Sequence, residues 1–206
     1  MIAILDYDAG NLKSVEKALG FLGEESRITR ERHEVAKADK LILPGVGSFG
    51  PAMQQLKKYE IDKMLEEAAA EGKPLLGICL GLQLLFDGSE ESPGVEGLHL
   101  LKGSILKIPD REGLKIPHIG WNSLNLAPDG RLFAGVAEGT YVYFVHSYYL
   151  KAEDESIVKA STEYGTQIHA SVESGNIFAC QFHPEKSSAA GLRILSNFAK
   201  IQGGNG

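Results

Sequence analysis

The sequence predicts an α/β fold: an open, mainly parallel sheet flanked by helices, with an antiparallel part in the second half. Three observations lead there. Short, uniformly apolar runs, IAIL at 2–5, KLIL at 40–43 and PLLGI at 74–78, alternate with longer amphipathic stretches. A strand that is apolar at every position has both faces covered, as in a parallel sheet packed between helices. After residue 97 the texture changes to strand following strand with turns between them. Finally, 206 residues of which 43% are hydrophobic can bury one substantial core, so one domain over 1–206 is expected.

The elements follow in order. Residues 2–5 form a buried strand. Residues 11–23 place Leu12, Val15, Leu19 and Leu22 at helical spacing, with Gly23 as a stop. Residues 40–43 are a second apolar strand. A helix is expected over 50–71, where Met53, Leu56, Ile61 and Leu65 lead into EEAAAEG. The strand at 74–78 runs into a helix at 80–86. Right-handed crossovers should join these parallel strands. In the second half, residues 98–108, 140–150, 156–162, 168–175 and 176–182 read as strands, and ESGN at 173–176 reads as a hairpin turn. Residues 187–201 close the chain as a helix with Leu192, Leu195 and Phe198 on one face.

Bulk properties narrow the function. With 21 basic and 27 acidic residues the net charge is −6, which argues against a nonspecific grip on nucleic acid or an anionic membrane. The six histidines, at 33, 99, 118, 146, 169 and 183, form no local metal signature, and no metal or other cofactor is expected. Cys79 and Cys180 make no disulfide framework. The first residues lack a basic leader, and the longest apolar region, 74–86, is too short for a membrane span. A cytoplasmic protein is the resulting expectation.

The chemistry centres on GICLGLQLLF at 77–86. A cysteine between glycines can be plain core packing, as Cys180 in IFACQF is taken to be. It can also be a nucleophile elbow, in which a sharp strand-to-helix turn needs small neighbours at Gly77 and Gly81 and lifts Cys79 to the carboxyl edge of the sheet. The elbow would leave the Leu80 N–H free to hold an oxyanion. QFHPEKS at 181–187 offers a base: in an extended segment His183 and Glu185 point the same way, so the carboxylate can orient the imidazole. The same residues could equally be a solvated pair at a strand end. In LPGVGSFG at 43–50, Gly45, Gly47 and Gly50 satisfy G-x-G-x-x-G, but the acidic residues a suitable distance on, Glu66 and Glu67, fall in a helix rather than at a strand end. Gly45, Val46 and Gly47 suit a loop whose backbone N–H groups approach a substrate oxygen.

Taken in order, PGVGSFG, GICLGLQLLF and FHPEKS resemble the oxyanion loop, nucleophile and base of the class I (triad) glutamine amidotransferases. Within that class the chain is similar to the glutaminase subunits of imidazole glycerol phosphate synthase, through DYDAGNLKSV at 6–15, IPHIGWN at 116–122, YFVHSYY at 143–149 and QFHPEKS. The likeness spans essentially the whole chain; Asp8 stands where the family more often has glycine. It implies Cys79, His183 and Glu185 as the catalytic triad and Leu80 with the Gly45–Gly47 loop as oxyanion donors. It further implies that Gln83, Glu91, Ser147 and Tyr148 hold the amino-acid end of L-glutamine. The implied partner is a cyclase subunit with a (β/α)8 barrel, HisF, met through Trp121, Asn122, Tyr143 and Lys186. Trp121, the chain's single tryptophan, could instead be a core residue. A glutaminase serving another synthase, a cysteine hydrolase with the same elbow, and a nucleotide-binding module are the competing readings.

Overall fold

The computed structural model describes residues 1–204. Its first half runs β1 (Ile2–Leu5), α1 (Leu12–Phe21), β2 (Ser26–Thr29), α2 (Arg32–Lys37), β3 (Lys40–Gly45), α3 (Phe49–Lys58), α4 (Ile61–Ala70), β4 (Leu75–Cys79) and α5 (Leu80–Leu84). The second half continues with β5 (Gly88–Ser89), β6 (Gly103–Lys107), β7 (His118–Ser123), β8 (Asn125–Leu126), β9 (Tyr141–His146), β10 (Tyr148–Ala152), β11 (Val158–Glu163), β12 (Gln167–Ser174), β13 (Ile177–Cys180) and α6 (Ser188–Lys200). The main sheet has the order β2-β1-β3-β4-β13-β12-β11-β8. The neighbours from β2 to β13 are parallel, and those from β13 to β8 antiparallel. Beside it lie a sheet of order β10-β6-β5 and a ribbon formed by β7 and β9.

Alternation along the apolar strands explains the layers. Ala3, Leu5, Leu41 and Leu43 enter one core with α3, α4 and α5, whereas Ile2, Ile4 and Ile42 enter another with α1 and α6. Both faces of the parallel strands are therefore covered, as their uniform apolarity requires. Gly23, with φ of 78°, follows the end of α1, and Gly175 with Asn176 forms the turn of the β12–β13 hairpin.

Several elements depart from the sequence expectation. The helix expected over 50–71 breaks at Tyr59–Glu60, where Glu60 adopts a left-handed φ of 54°. Of the strand expected over 98–108, only Gly103–Lys107 pairs in a sheet; the N–H groups of Leu98, His99 and Leu101 bond the carbonyls of Leu84, Phe86 and Leu85 at the end of α5. That helix ends at Leu84, short of the expected 86. The run 140–150 is two strands in two sheets, β9 on β7 and β10 on β6, divided at Ser147. The strands β2, β5, β7 and β8 and helix α2 lie outside the segments the sequence predicts.

Candidate active site

The carboxyl ends of three adjacent parallel strands, β3, β4 and β13, build the site. Cys79 ends β4 with φ of 55° and ψ of −110°, a rarely populated conformation for a residue with a side chain, and α5 starts at once. The surrounding glycines are close-approach residues. A Cβ on Gly81 would lie 1.8 Å from the Leu43 carbonyl oxygen, and one on Gly77 would lie 2.8 Å from the Gly81 carbonyl oxygen. Small neighbours thus let β3, β4 and α5 close around the turn, as the elbow reading requires. Cys79 is buried apart from 7% of its surface, facing a cavity of about 360 Å³. Cys180 is fully buried in the core, and burial, followed by the nearby Glu185 and Cys79, raises its thiol pKa.

His183 lies on the same cavity. Its Nδ1 is 2.8 Å from Glu185 Oε1, and both side chains are almost wholly buried. The sequence expectation of an extended segment fails here: Pro184–Lys186 is a 3₁₀ turn, opened by Pro184. The turn brings Glu185 back onto the imidazole. His183 N–H bonds the Tyr143 carbonyl at 2.9 Å, and Ser187 Oγ bonds the His183 carbonyl at 2.7 Å and receives Tyr143 N–H at 2.9 Å. Burial opposes charge on His183, but the Cys79 sulfur and the Glu185 carboxylate together outweigh it and raise its pKa to about 9. Its Nε2 has no hydrogen-bond partner among the described residues. The group is thus oriented from behind and free in front.

Leu80, Val46 and Gly47 line the cavity, Gly47 with φ of 97°. Gly45 lies beneath it instead, paired with Cys79, where a Cβ would strike Tyr7 Oη, Gly81 N and Leu80 Cβ. The buried Tyr7 hydroxyl donates to the Pro44 carbonyl at 2.7 Å, fixing the start of this loop. Burial, and to a lesser degree Cys79, pushes the Tyr7 phenol well above its usual range.

Gln83, Glu91, Ser147 and Tyr148 all line the same cavity. Glu91 is no free loop acid: its Oε2 accepts the Phe49 N–H at 2.7 Å at the start of α3, and Ser92 Oγ accepts the Gly50 N–H at 3.0 Å. The loop after β3 is thereby tied down on its far side. The division of 140–150 at Ser147 turns Ser147 and Tyr148 into the cavity, which a continuous strand would not do. Sequence reasoning missed Val145, His146 and Pro117 in the lining and the buried Gln181 behind Cys79. His146 Nδ1 donates to the Tyr148 carbonyl at 2.9 Å, leaving Nε2 to accept from His118 Nδ1 at 3.0 Å. Burial lowers the His146 and His118 pKa values to about 3 and about 4, so both stay neutral, and His118 stacks between Phe144 and Tyr164.

The β7–β9 ribbon carries an exposed aromatic face. Trp121 is 50% exposed, which excludes the core reading; it meets Tyr143 edge-on at 6.2 Å, and Lys186 Nζ lies 6.0 Å from the Tyr143 ring. Asn122 points the other way, donating to the Glu163 carbonyl at 3.0 Å. Among the described residues no group of three or more histidines, cysteines and acids could hold a metal, and no helix is long and apolar enough to cross a membrane.

Comparison with known proteins agrees with this architecture. The family model described as glutamine amidotransferase class-I matches residues 3–201. The imidazole glycerol phosphate synthase subunit HisH of Caldanaerobacter subterraneus subsp. tengcongensis is 47% identical over 201 residues, covering 98% of either chain. HisH of Bacillus mycoides is 50% identical over 203 residues, covering 98% of this chain and 95% of its own. Among solved structures, a glutamine amidotransferase superposes with a TM-score of 0.75 at 20% identity, covering 97% of this chain and 99% of that one. PurLQS from Thermotoga maritima gives 0.74 at 23%, covering 96% of each. The chain therefore belongs to the class I glutamine amidotransferases and, within them, to the HisH subunits of imidazole glycerol phosphate synthase.

Proposed function

We propose that the chain hydrolyses L-glutamine to glutamate and ammonia as the glutaminase subunit of imidazole glycerol phosphate synthase, with Cys79, His183 and Glu185 as the triad. The observation that carries the reading is the convergence on one cavity of a strained cysteine, a histidine backed by a buried carboxylate, and a glycine loop. His183 Nε2 takes the thiol proton, and the sulfur adds to the side-chain carboxamide carbon of glutamine. The Leu80 N–H and N–H groups of the Gly45–Gly47 loop hold the oxyanion, with Val46 and Gly47 on the cavity itself. His183 then gives its proton to the departing nitrogen, the C–N bond breaks to release ammonia, and a glutamyl thioester remains on Cys79. Next it removes a proton from water, which cleaves the thioester to glutamate, and the proton returns to sulfur. Gln83, Glu91, Ser147 and Tyr148 bind the amino-acid end. With both Gln83 amide protons directed at protein oxygens, Gln83 offers its own oxygen to the substrate ammonium.

Ammonia reacts as a nucleophile only unprotonated, and a closed path between subunits keeps it so. The consumer in this reading is the (β/α)8-barrel cyclase HisF, which forms imidazole glycerol phosphate and an aminoimidazole carboxamide ribotide in histidine biosynthesis. Trp121, Tyr143 and Lys186 present one surface to it, while Asn122 supports that ribbon from behind. The test is direct: the purified chain mixed with cyclase should release glutamate from glutamine and drive nucleotide cyclisation. Inactivity towards glutamine with the cyclase present would overturn the reading.

Glu185→Gln should lower glutamine turnover in the complex by about 10²-fold or more, because a carboxamide accepts a hydrogen bond but does not stabilise imidazolium. Turnover within twofold of wild type would remove Glu185 from the triad. The same change should alter stability with a defined sign. The folded pKa of His183 is raised, so its contribution is complete below the unfolded value of about 6.5 and is lost as pH rises through about 9. The stability gap between wild type and Glu185→Gln should therefore narrow over that window in urea titrations. Trp121→Ala should weaken cyclase binding about 30-fold, the effect of losing an interface anchor worth about 2 kcal/mol. Calorimetric titration showing unchanged affinity would move the contact elsewhere.

A further inference from the structure

We propose that Gln181 is a catalytic residue: its carboxamide N–H holds the Cys79 sulfur and stabilises the thiolate from which attack begins. This rests on the glutaminase reading and adds a group to it. Gln181 follows β13, two residues before His183, and is completely buried. Its backbone is pinned by the bond from its N–H to the Ala170 carbonyl at 2.8 Å. Its Nε2 lies 3.7 Å from Cys79 Sγ, within reach of an N–H···S hydrogen bond.

A neighbouring chain of donors fixes which end of the carboxamide faces the sulfur. Gln83 lies 3.1 Å from the Tyr148 carbonyl, which can only accept, so that end of Gln83 must be its amide nitrogen. The same nitrogen is 3.1 Å from the Gln181 carboxamide, which must present oxygen to it. The amide nitrogen of Gln181 is then the end at the sulfur. Running from Tyr148 through Gln83 and Gln181, the orientation is determined throughout by one backbone oxygen.

The other contact of the sulfur works in the opposite sense. The thiol donates weakly to the Val145 carbonyl at 3.9 Å, an arrangement that suits S–H and repels S⁻. When the thiol proton passes to His183 Nε2, the Val145 contact loses its donor and the Gln181 contact becomes charge-assisted. Gln181 keeps its own protons throughout. One chain segment thus delivers both the base and the donor that receives the charge the base creates.

The experiment is the pH profile of Cys79 alkylation by iodoacetamide, read by peptide mass mapping so that Cys79 and Cys180 are scored separately. Gln181→Met keeps length and removes the N–H. Gln181→Glu keeps shape and puts a carboxyl oxygen against the sulfur, and it carries the test if the methionine variant does not fold. The methionine variant should move the alkylation midpoint up by about one pH unit, slowing reaction about tenfold near neutrality, and the glutamate variant should move it further. In the complex, kcat for glutamine should fall while KM stays within about threefold. Folded variants with the wild-type alkylation profile would overturn the proposal. That result, alongside an inactive Cys79→Ala, would leave the glutaminase reading standing; an active Cys79→Ala would sink the reading itself.

Discussion

Cys79→Ala is expected to abolish glutamine-dependent synthesis, by about 10⁴-fold or more, in the complex with the cyclase while sparing synthesis fed by ammonium salt at high pH. On the proposed reading the two activities separate because two chains carry them: Cys79 would serve only to make ammonia from glutamine, and unprotonated ammonia supplied in bulk can enter from solution. Alanine removes the nucleophile with little loss of volume and no change at the ribbon bearing Trp121, so association with the cyclase should persist. The measurement follows nucleotide consumption with glutamine and then with ammonium chloride for both complexes. A variant that lost both activities while still binding the cyclase would refute the division of labour. Retention of the glutamine-dependent activity would show that Cys79 is no nucleophile.

Gly81→Ala should strongly lower the stability of the fold. Its Cβ would stand 1.8 Å from the Leu43 carbonyl oxygen, which is backbone and cannot rotate away. Relief requires α5 to move off β3, and α5 carries Leu80, Leu82 and Leu84 into the core. Overpacking of this kind costs about 3 kcal/mol or more, which for a chain of this size lowers the melting midpoint by about 6–12 °C. Gly20→Ala is the matched control, since a Cβ there meets nothing within 4 Å and improves helix propensity. Equal midpoints for the Gly81 and Gly20 variants would show that α5 yields more readily than the packing implies.

The parallel strands β1, β3 and β4 are legible because each carries its own evidence, whereas the edge strand β2, SRIT, is half polar and only partly buried and carries none. A run such as LLGIC, buried at every position, has no exposed face to misread. The elbow was legible for the same local reason, since glycines flank the cysteine on either side. The second half was harder, because TYVYFVHSYYL satisfies strand propensity throughout, and nothing in it states that β9 pairs with β7 and β10 with β6. Ser147 is a neutral residue in strand chemistry; the break comes from partners distant in sequence. Gln181 was missed for a related reason. A single polar residue in an apolar run does not reveal that the side chain it meets is that of Cys79. The pairing of His183 with Glu185 was anticipated but its local geometry was not, because a proline opening a 3₁₀ turn and a proline closing a strand look alike in one dimension.

The insertion of β13 between β4 and β12 also governs how the protein is made. Leu75–Ile78 pair with Ile177–Cys180, about a hundred residues later. A ribosome therefore releases the sulfur-bearing strand long before its lateral neighbour exists. Until then β4 is an unpaired hydrophobic edge, the kind that invites aggregation. Closing so long a loop makes the final zippering slow relative to formation of the helices. On the proposed reading, the triad cannot be assembled on the ribosome before the segment that follows β13 has been made, so the growing chain holds Cys79 without its base.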